Sequence, residues 1–184
     1  MAAKSSLLNM ALCLTAVCLV CAAVLGVTYS VTKEPIEAAA VAEAQASIAK
    51  VLPEGGTISE EMTSEAEGVL GYYVQTSADG SVSAYAVKSV AGGFGGPLTL
   101  MVGVLPDGSI YNTSVLSHSE TPGLGAKCTE EDSHFRTQCK GFSGRLAVTK
   151  DGGDGDAITA STITSRAYTK AVAQAVALVK SLED

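Results

Sequence analysis

Hydroxyl side chains are concentrated near the end of the chain, immediately before a stretch with helical periodicity. Five of them fall within seven residues: Thr159, Ser161, Thr162, Thr164 and Ser165. The first turn of a helix offers unpaired N–H groups and the positive end of the helix dipole, so it stabilises a phosphate without a basic side chain. The cluster therefore indicates a site for a phosphorylated ligand. The alternative is that these residues only cap the helix, with Thr164 or Ser165 as the cap.

A second segment combines glycines with an apolar and two polar side chains. It reads His-Ser-Glu-Thr-Pro-Gly-Leu-Gly and contains Glu120, Thr121, Gly123, Leu124 and Gly125. The glycines allow the backbone to approach a planar ring closely. The leucine offers that ring an apolar face, and the glutamate and threonine offer polar edges. On composition alone, an exposed Pro-Gly turn is the competing interpretation.

Together the two segments resemble the motifs of the FMN-binding domain family. That family occurs in the G subunit of the Rnf electron-transport complex and in the C subunit of the sodium-pumping NADH:quinone reductase. The sequence DAITASTITSRA, residues 156–167, is similar to the family's flavinylation motif, in which a threonine hydroxyl forms a phosphoester with FMN. By this resemblance Thr162 is the expected acceptor and Thr164 the reserve. Asp156 matches the acidic start of the motif, and Thr159 matches its first hydroxyl.

This chain departs from the family motif at Ala160 and Ser161, where the family prefers Gly and Ala. If the family glycine serves a turn with positive φ, Ala160 lowers the stability of this turn. Further agreement comes from the glycine cluster of residues 92–96 and from the segment of residues 103–108. The resemblance covers nearly the whole chain.

The resemblance implies a flavoprotein that carries electrons one at a time on covalently attached FMN. It would act within a membrane complex that couples electron transfer between ferredoxin and NAD to ion movement. The implied cofactor-binding residues are Thr159, Ser161, Thr162, Thr164, Ser165, Glu120, Thr121, Gly123, Leu124 and Gly125. The implied partners are the other membrane subunits of the complex and a flavin transferase, and neither independent catalytic residues nor a metal site are expected.

Within the family, the Rnf G subunit is favoured because the chain is short, has a brief basic leader and carries its motif close to the C-terminus. The alternatives are the C subunit of the sodium-pumping reductase and a stand-alone flavin carrier. An alternative of another class is a non-redox, membrane-anchored domain that binds a different phosphate-bearing ligand.

The elements that must position these residues begin with an apolar stretch. The stretch Leu7–Val31 contains no charge over 25 residues, more than the ~20 that cross the hydrocarbon core as a helix. We therefore predict a leader at residues 1–6 and a single transmembrane helix at residues 7–31. A cleaved signal peptide is the alternative.

The direction of insertion is only weakly marked by charge. Lys4 precedes the predicted span, whereas Lys33 after it is offset by Glu34 and Glu37. This favours a cytoplasmic N-terminus, and the family resemblance fixes the direction. The chain is thus expected in the bacterial cytoplasmic membrane, embedded in the lipid bilayer, with its C-terminal domain outside the cytoplasm.

After the predicted span, a helical stalk is predicted at residues 32–52 and a folded FMN-binding domain at residues 53–184. Four strands are predicted at Tyr72–Thr76, Ser83–Val90, Leu98–Leu105 and Ile110–Leu116. Two Asp-Gly pairs mark tight reversals, and the poor alternation of the third strand is typical of a strand covered on both faces. An amphipathic helix over residues 165–182 should cover the sheet. The predicted fold is α+β, an antiparallel sheet flanked by helices.

Charge and cysteine content exclude some functions. The net charge is −7 and no basic stripe is present, which argues against nucleic acid as a partner. Cys128 and Cys139 lack the spacing of a zinc site. A disulfide between them stays open as an alternative if the domain lies in an oxidising compartment.

Overall fold

The structure is a computed structural model that describes residues 7–142 and 146–183. It contains two compact units, the first ending at Ala42 and the second beginning at Glu43. The predicted leader lies outside the described residues.

One helix, α1, occupies Leu7–Val51 and contains Pro35 in its interior. Its apolar side chains in the first unit are exposed, from Leu7 through Val31. The helix is long and apolar enough to cross a membrane. It continues without interruption from the predicted span into the predicted stalk. It ends at Val51, before Pro53 as predicted, because the residue that precedes a proline disfavours the helical conformation.

The second unit is built on a sheet of five antiparallel strands. They are β1 (Thr57–Ile58), β2 (Val69–Thr76), β3 (Val82–Gly92), β4 (Pro97–Val104) and β5 (Ile110–Ser117). Their order in the sheet is their order in the chain. The four predicted strands and the antiparallel sheet are confirmed, and the glycines of both Asp-Gly turns have positive φ, 85° at Gly80 and 82° at Gly108.

Helices cover both faces of the sheet. Helix α3 (Thr162–Glu183) buries its apolar face against β3 and β4. The residues of this core include Tyr85, Val87, Leu98, Leu100, Val102, Tyr168, Val172 and Val179. On the other face, Ile48 and Val51 at the end of α1 pack with Ala84, Ala86 and Met101. The prediction that β4 is covered on both faces is therefore confirmed.

Strand β5 ends the sheet, so one of its sides has no strand neighbour. Two of its carbonyl groups accept hydrogen bonds from the short helix α2 (His134–Thr137) and the turn after it. The guanidinium of buried Arg136 donates to the carbonyl of Thr113, and Gly141 N donates to the carbonyl of Ile110 at 2.7 Å. The segment after β5 thus lies against the open side of this strand.

The two domain cysteines are buried and free. Cys128 and Cys139 both belong to the core under α3. Burial away from water raises the pKa of each thiol to about 11, which disfavours the reactive thiolate. The disulfide alternative is not present in the structure.

Candidate functional site

Three segments that are distant in sequence meet in one cleft of about 330 Å³. They contribute Phe94 from the β3–β4 turn, four residues of the predicted ring-binding loop, and residues 160–164 at the start of α3. The four loop residues are Glu120, Thr121, Leu124 and Gly125. We call this space the Glu120 cleft, and its lining is mostly apolar.

The side chain of Glu120 holds the three segments together. One carboxylate oxygen accepts hydrogen bonds from the backbone N–H of Phe94 at 2.8 Å and of Gly95 at 3.3 Å. The other accepts a hydrogen bond from the Thr164 hydroxyl at 2.6 Å. Glu120 is only 6% exposed, and hydrogen bonds to a buried carboxylate of this kind are among the strongest in proteins. Glu120 thus connects segments of the protein while it also lines the cleft, and its role toward a bound ring stays a prediction.

Glycines make room for this carboxylate. A Cβ atom on Gly125 would lie 2.5 Å from one Glu120 oxygen and 2.6 Å from the Thr164 hydroxyl. A Cβ atom on Gly93 would overlap the other Glu120 oxygen, and one on Gly95 would overlap the backbone carbonyl of Ser119. Side chains at these positions would force the loops apart.

Helix α3 begins at Thr162, three residues before its predicted start at Ser165. The proposed cap at Thr164 or Ser165 is therefore wrong, because both lie inside the first turn. The Thr164 hydroxyl bonds Glu120, and the Ser165 hydroxyl donates to the Ser161 carbonyl at 2.9 Å. The N–H of Ser165 bonds the Ser161 carbonyl, which leaves the first three N–H groups of the helix without partners inside it.

Thr162 lies where two clefts adjoin. It lines the Glu120 cleft and also a neighbouring cleft of about 410 Å³ that includes Lys150. The Lys150 ammonium is 3.4 Å from the Thr162 hydroxyl. Asp151 and Arg166 form a two-bond ion pair at 2.7 Å that ties the Lys150 turn to the first turns of α3. A positive charge is thus held beside the Thr162 oxygen.

The predicted site residues are divided among four places. Seven line the Glu120 cleft: Glu120, Thr121, Leu124, Gly125, Ser161, Thr162 and Thr164. Thr159 lines the neighbouring cleft but not the Glu120 cleft, Ser165 is fully buried behind the helix start, and Gly123 lies exposed with a φ of 77°. Sequence reasoning did not select Phe94 or Ile163 for the site, although the glycines around Phe94 marked its turn.

Ala160 has a left-handed backbone, with a φ of 60°, and no other described non-glycine residue has positive φ. The condition considered for the family glycine, a turn with positive φ, is met at this position. For an L-residue this conformation costs roughly 1–2 kcal/mol. A glycine would avoid that cost, but it loses more conformational entropy on folding than alanine does, which offsets part of the gain.

We therefore expect Ala160→Gly to stabilise the protein by about 0.5–1 kcal/mol. Calorimetry of the detergent-solubilised chain should show a rise in Tm of ~2–4 °C per kcal/mol. Ala157→Gly is the matched control in the same segment, and there the Tm should fall. An equal fall in both variants would contradict the assignment of strain to Ala160.

Family comparisons agree with the motifs. The FMN-binding domain family model matches residues 93–177, and the RnfG N-terminal region matches residues 1–51. The chain is 35% identical over 179 residues to the G subunit of the ion-translocating oxidoreductase complex of Cereibacter sphaeroides, covering 89% of this chain and 80% of the relative. It is 31% identical over 171 residues to the corresponding G subunit from Erwinia tasmaniensis, covering 85% and 81%.

Other relatives match over a shorter stretch. The G subunit of the proton-translocating ferredoxin:NAD(+) oxidoreductase complex of Clostridium ljungdahlii is 43% identical over 97 residues, which is 50% of this chain and 51% of that protein. The chain thus matches about half the length of the first of its curated relatives. Among solved structures, NqrC of Shewanella oneidensis is similar, with a TM-score of 0.46 and 20% identity over 66% of this chain and 69% of that one.

Proposed function

Because this chain belongs to the family of G subunits of ion-translocating oxidoreductase complexes, we propose that it is the electron-carrying member of such a membrane complex. Electrons would pass between ferredoxin and NAD through the complex, with ion movement coupled to that passage. The other membrane subunits of the complex are its proposed partners.

The observation that carries this proposal is the position of Thr162. It stands at the first residue of α3, beside unpaired helix N–H groups and the Lys150 ammonium. A phosphate attached to its oxygen would be stabilised by both. The adjoining Glu120 cleft is mostly apolar and, at about 330 Å³, falls within the range of small-molecule sites, ~300–1,000 Å³.

These residues fit FMN. Thr162 would carry its phosphate in an ester made by a flavin transferase, with Thr164 as the reserve acceptor. The apolar side chains of Phe94, Leu124 and Ile163, which are exposed at the cleft, would cover its ring. Ser161, Thr121 and Gly125 would line the remaining space.

When bound, FMN supplies the one-electron redox chemistry. The chain itself binds and orients. Glu120 fixes the turn carrying Phe94 against the start of α3, which holds the shape of the cleft. The apolar rim excludes water from the ring, and the ester keeps the cofactor from dissociating.

We place the chain in the bacterial cytoplasmic membrane, with α1 as the anchor and the second unit outside the cytoplasm. The exposed apolar side chains of Leu7–Val31 support the anchor. A covalent tether would be an advantage on the outer side, where lost flavin is not replaced.

The test is the intact mass of the full chain, extracted from membranes of cells that make a flavin transferase. Trypsin cleaves after Lys150 and after Arg166, so it should then release residues 151–166 as one peptide that carries an FMN adduct. An unmodified peptide from such membranes would refute the covalent carrier and favour a non-redox binding domain.

A further inference from the structure

The Glu120 cleft contains one ionisable side chain among its lining residues in the described part of the chain, and that side chain is Glu120. All the other lining residues are apolar, hydroxyl-bearing or glycine. Lys150 lines the neighbouring cleft and not the Glu120 cleft. Among the described lining residues, the charge that the Glu120 cleft presents is therefore negative.

The contacts of Glu120 are those of a carboxylate. Its three hydrogen-bonding partners all donate: the N–H groups of Phe94 and Gly95, and the hydroxyl of Thr164. Its charge also contributes to raising the pKa of the neighbouring Cys128 thiol.

Burial keeps this charge effective. Glu120 is 6% exposed, so water screens it little, and charges interact more strongly in such surroundings than at a surface. No described arginine or lysine forms an ion pair with it. The hydrogen bonds compensate the cost of its burial but do not cancel its field.

We propose that the Glu120 carboxylate lowers the reduction potential of the cofactor held in the cleft. This inference rests on the proposed function. An electron that reaches the cofactor without a proton adds one unit of negative charge to the cleft. The fixed carboxylate repels that charge, so the cleft binds the oxidised form more tightly than the reduced form. The start of α3 acts with the opposite sign.

The first experiment is a redox titration of the flavin-loaded full chain, comparing wild type with Glu120→Gln. The amide oxygen can still accept from Phe94 and Gly95, and its NH₂ can donate to the Thr164 oxygen. Removing the charge should shift the equilibrium toward the reduced flavin at least tenfold. This corresponds to a rise of about 59 mV in the one-electron reduction potential. Glu54→Gln removes the same charge from an exposed position and is the control.

Both comparisons are made in about 1 M salt, where the Debye length is ~3 Å and surface charges are screened. The inference is supported if the reduction potential rises in Glu120→Gln and stays unchanged in Glu54→Gln. Equal potentials in wild type and Glu120→Gln overturn it, as does an equal rise in Glu54→Gln.

A second variant decides the question if Glu120→Gln does not take up flavin. Thr164→Val keeps the shape of the side chain but removes the hydroxyl that donates to Glu120. The less compensated carboxylate should then lower the potential, a shift opposite in sign to that of Glu120→Gln. An unchanged or raised potential in Thr164→Val overturns the inference.

A wild-type chain without flavin would overturn the proposed function as well as the inference. A flavin-loaded chain whose reduction potential does not change between variants overturns the inference alone.

Discussion

Replacing Thr162 with valine is expected to abolish the covalent flavin completely. Valine keeps the β-branched shape at the first residue of α3 but has no oxygen to form an ester. After co-expression with a flavin transferase, the fraction of chains that carry FMN, measured by intact mass, should fall more than a hundredfold. In-gel flavin fluorescence under denaturing conditions gives the same readout independently.

Thr164→Val and Thr159→Val are the controls for this prediction. Thr164 is 1% exposed and its hydroxyl already donates to Glu120, so it is less available than the half-buried Thr162. Thr159 is exposed but lies outside the Glu120 cleft. Both variants should keep their adduct on Thr162. An adduct that persists in Thr162→Val and maps to Thr164 would show that the reserve acceptor is the true one.

The second large effect is a loss of stability that we expect from Gly103→Ala. Gly103 lies in β4 on the face covered by the end of α1, and an added Cβ atom would overlap the carbonyl of Val51. Backbone cannot rotate away as a side chain can, so the helix end must shift from the sheet and lose part of its packing. We expect a loss of about 3 kcal/mol or more in the free energy of unfolding.

Gly92→Ala is the matched control, a glycine at the end of the adjacent strand with nothing within 4 Å of an added Cβ. Its effect should stay within about 0.5 kcal/mol. Calorimetry of the solubilised full chain measures both. If both variants lowered the Tm equally, the contact between Gly103 and Val51 would not be the cause.

The sheet could be predicted from sequence because its signals are local. β4 has apolar residues on both faces and β3 and β4 are joined by a glycine cluster, features that a strand pattern and turn chemistry reveal directly. β1 escaped prediction because two residues, Thr57 and Ile58, are too few to show alternation. The start of α3 was misplaced because Ile163 is exposed and Thr164 is buried, the reverse of an apolar face.

The site could be predicted only in part, since its segments meet through tertiary contacts. Motif resemblance selected Glu120 and Thr162, but no local pattern reveals that Glu120 reaches back to the N–H of Phe94, 26 residues earlier. Lys150 likewise reaches Thr162 only because its turn is tied to α3. The sequence predicted strain at Ala160 only on the condition that the family glycine serves a turn with positive φ, and the structure shows that φ.

The contacts along the open side of β5 have a consequence for how copies of this protein behave together. An edge strand with unpaired carbonyls is a template on which another chain can add a strand, and this leads to aggregation. The carbonyls of Ile110 and Thr113 already accept hydrogen bonds from Gly141 and Arg136, so a foreign strand would have to displace them. The buried arginine therefore protects the domain from edge-to-edge association with other copies through β5.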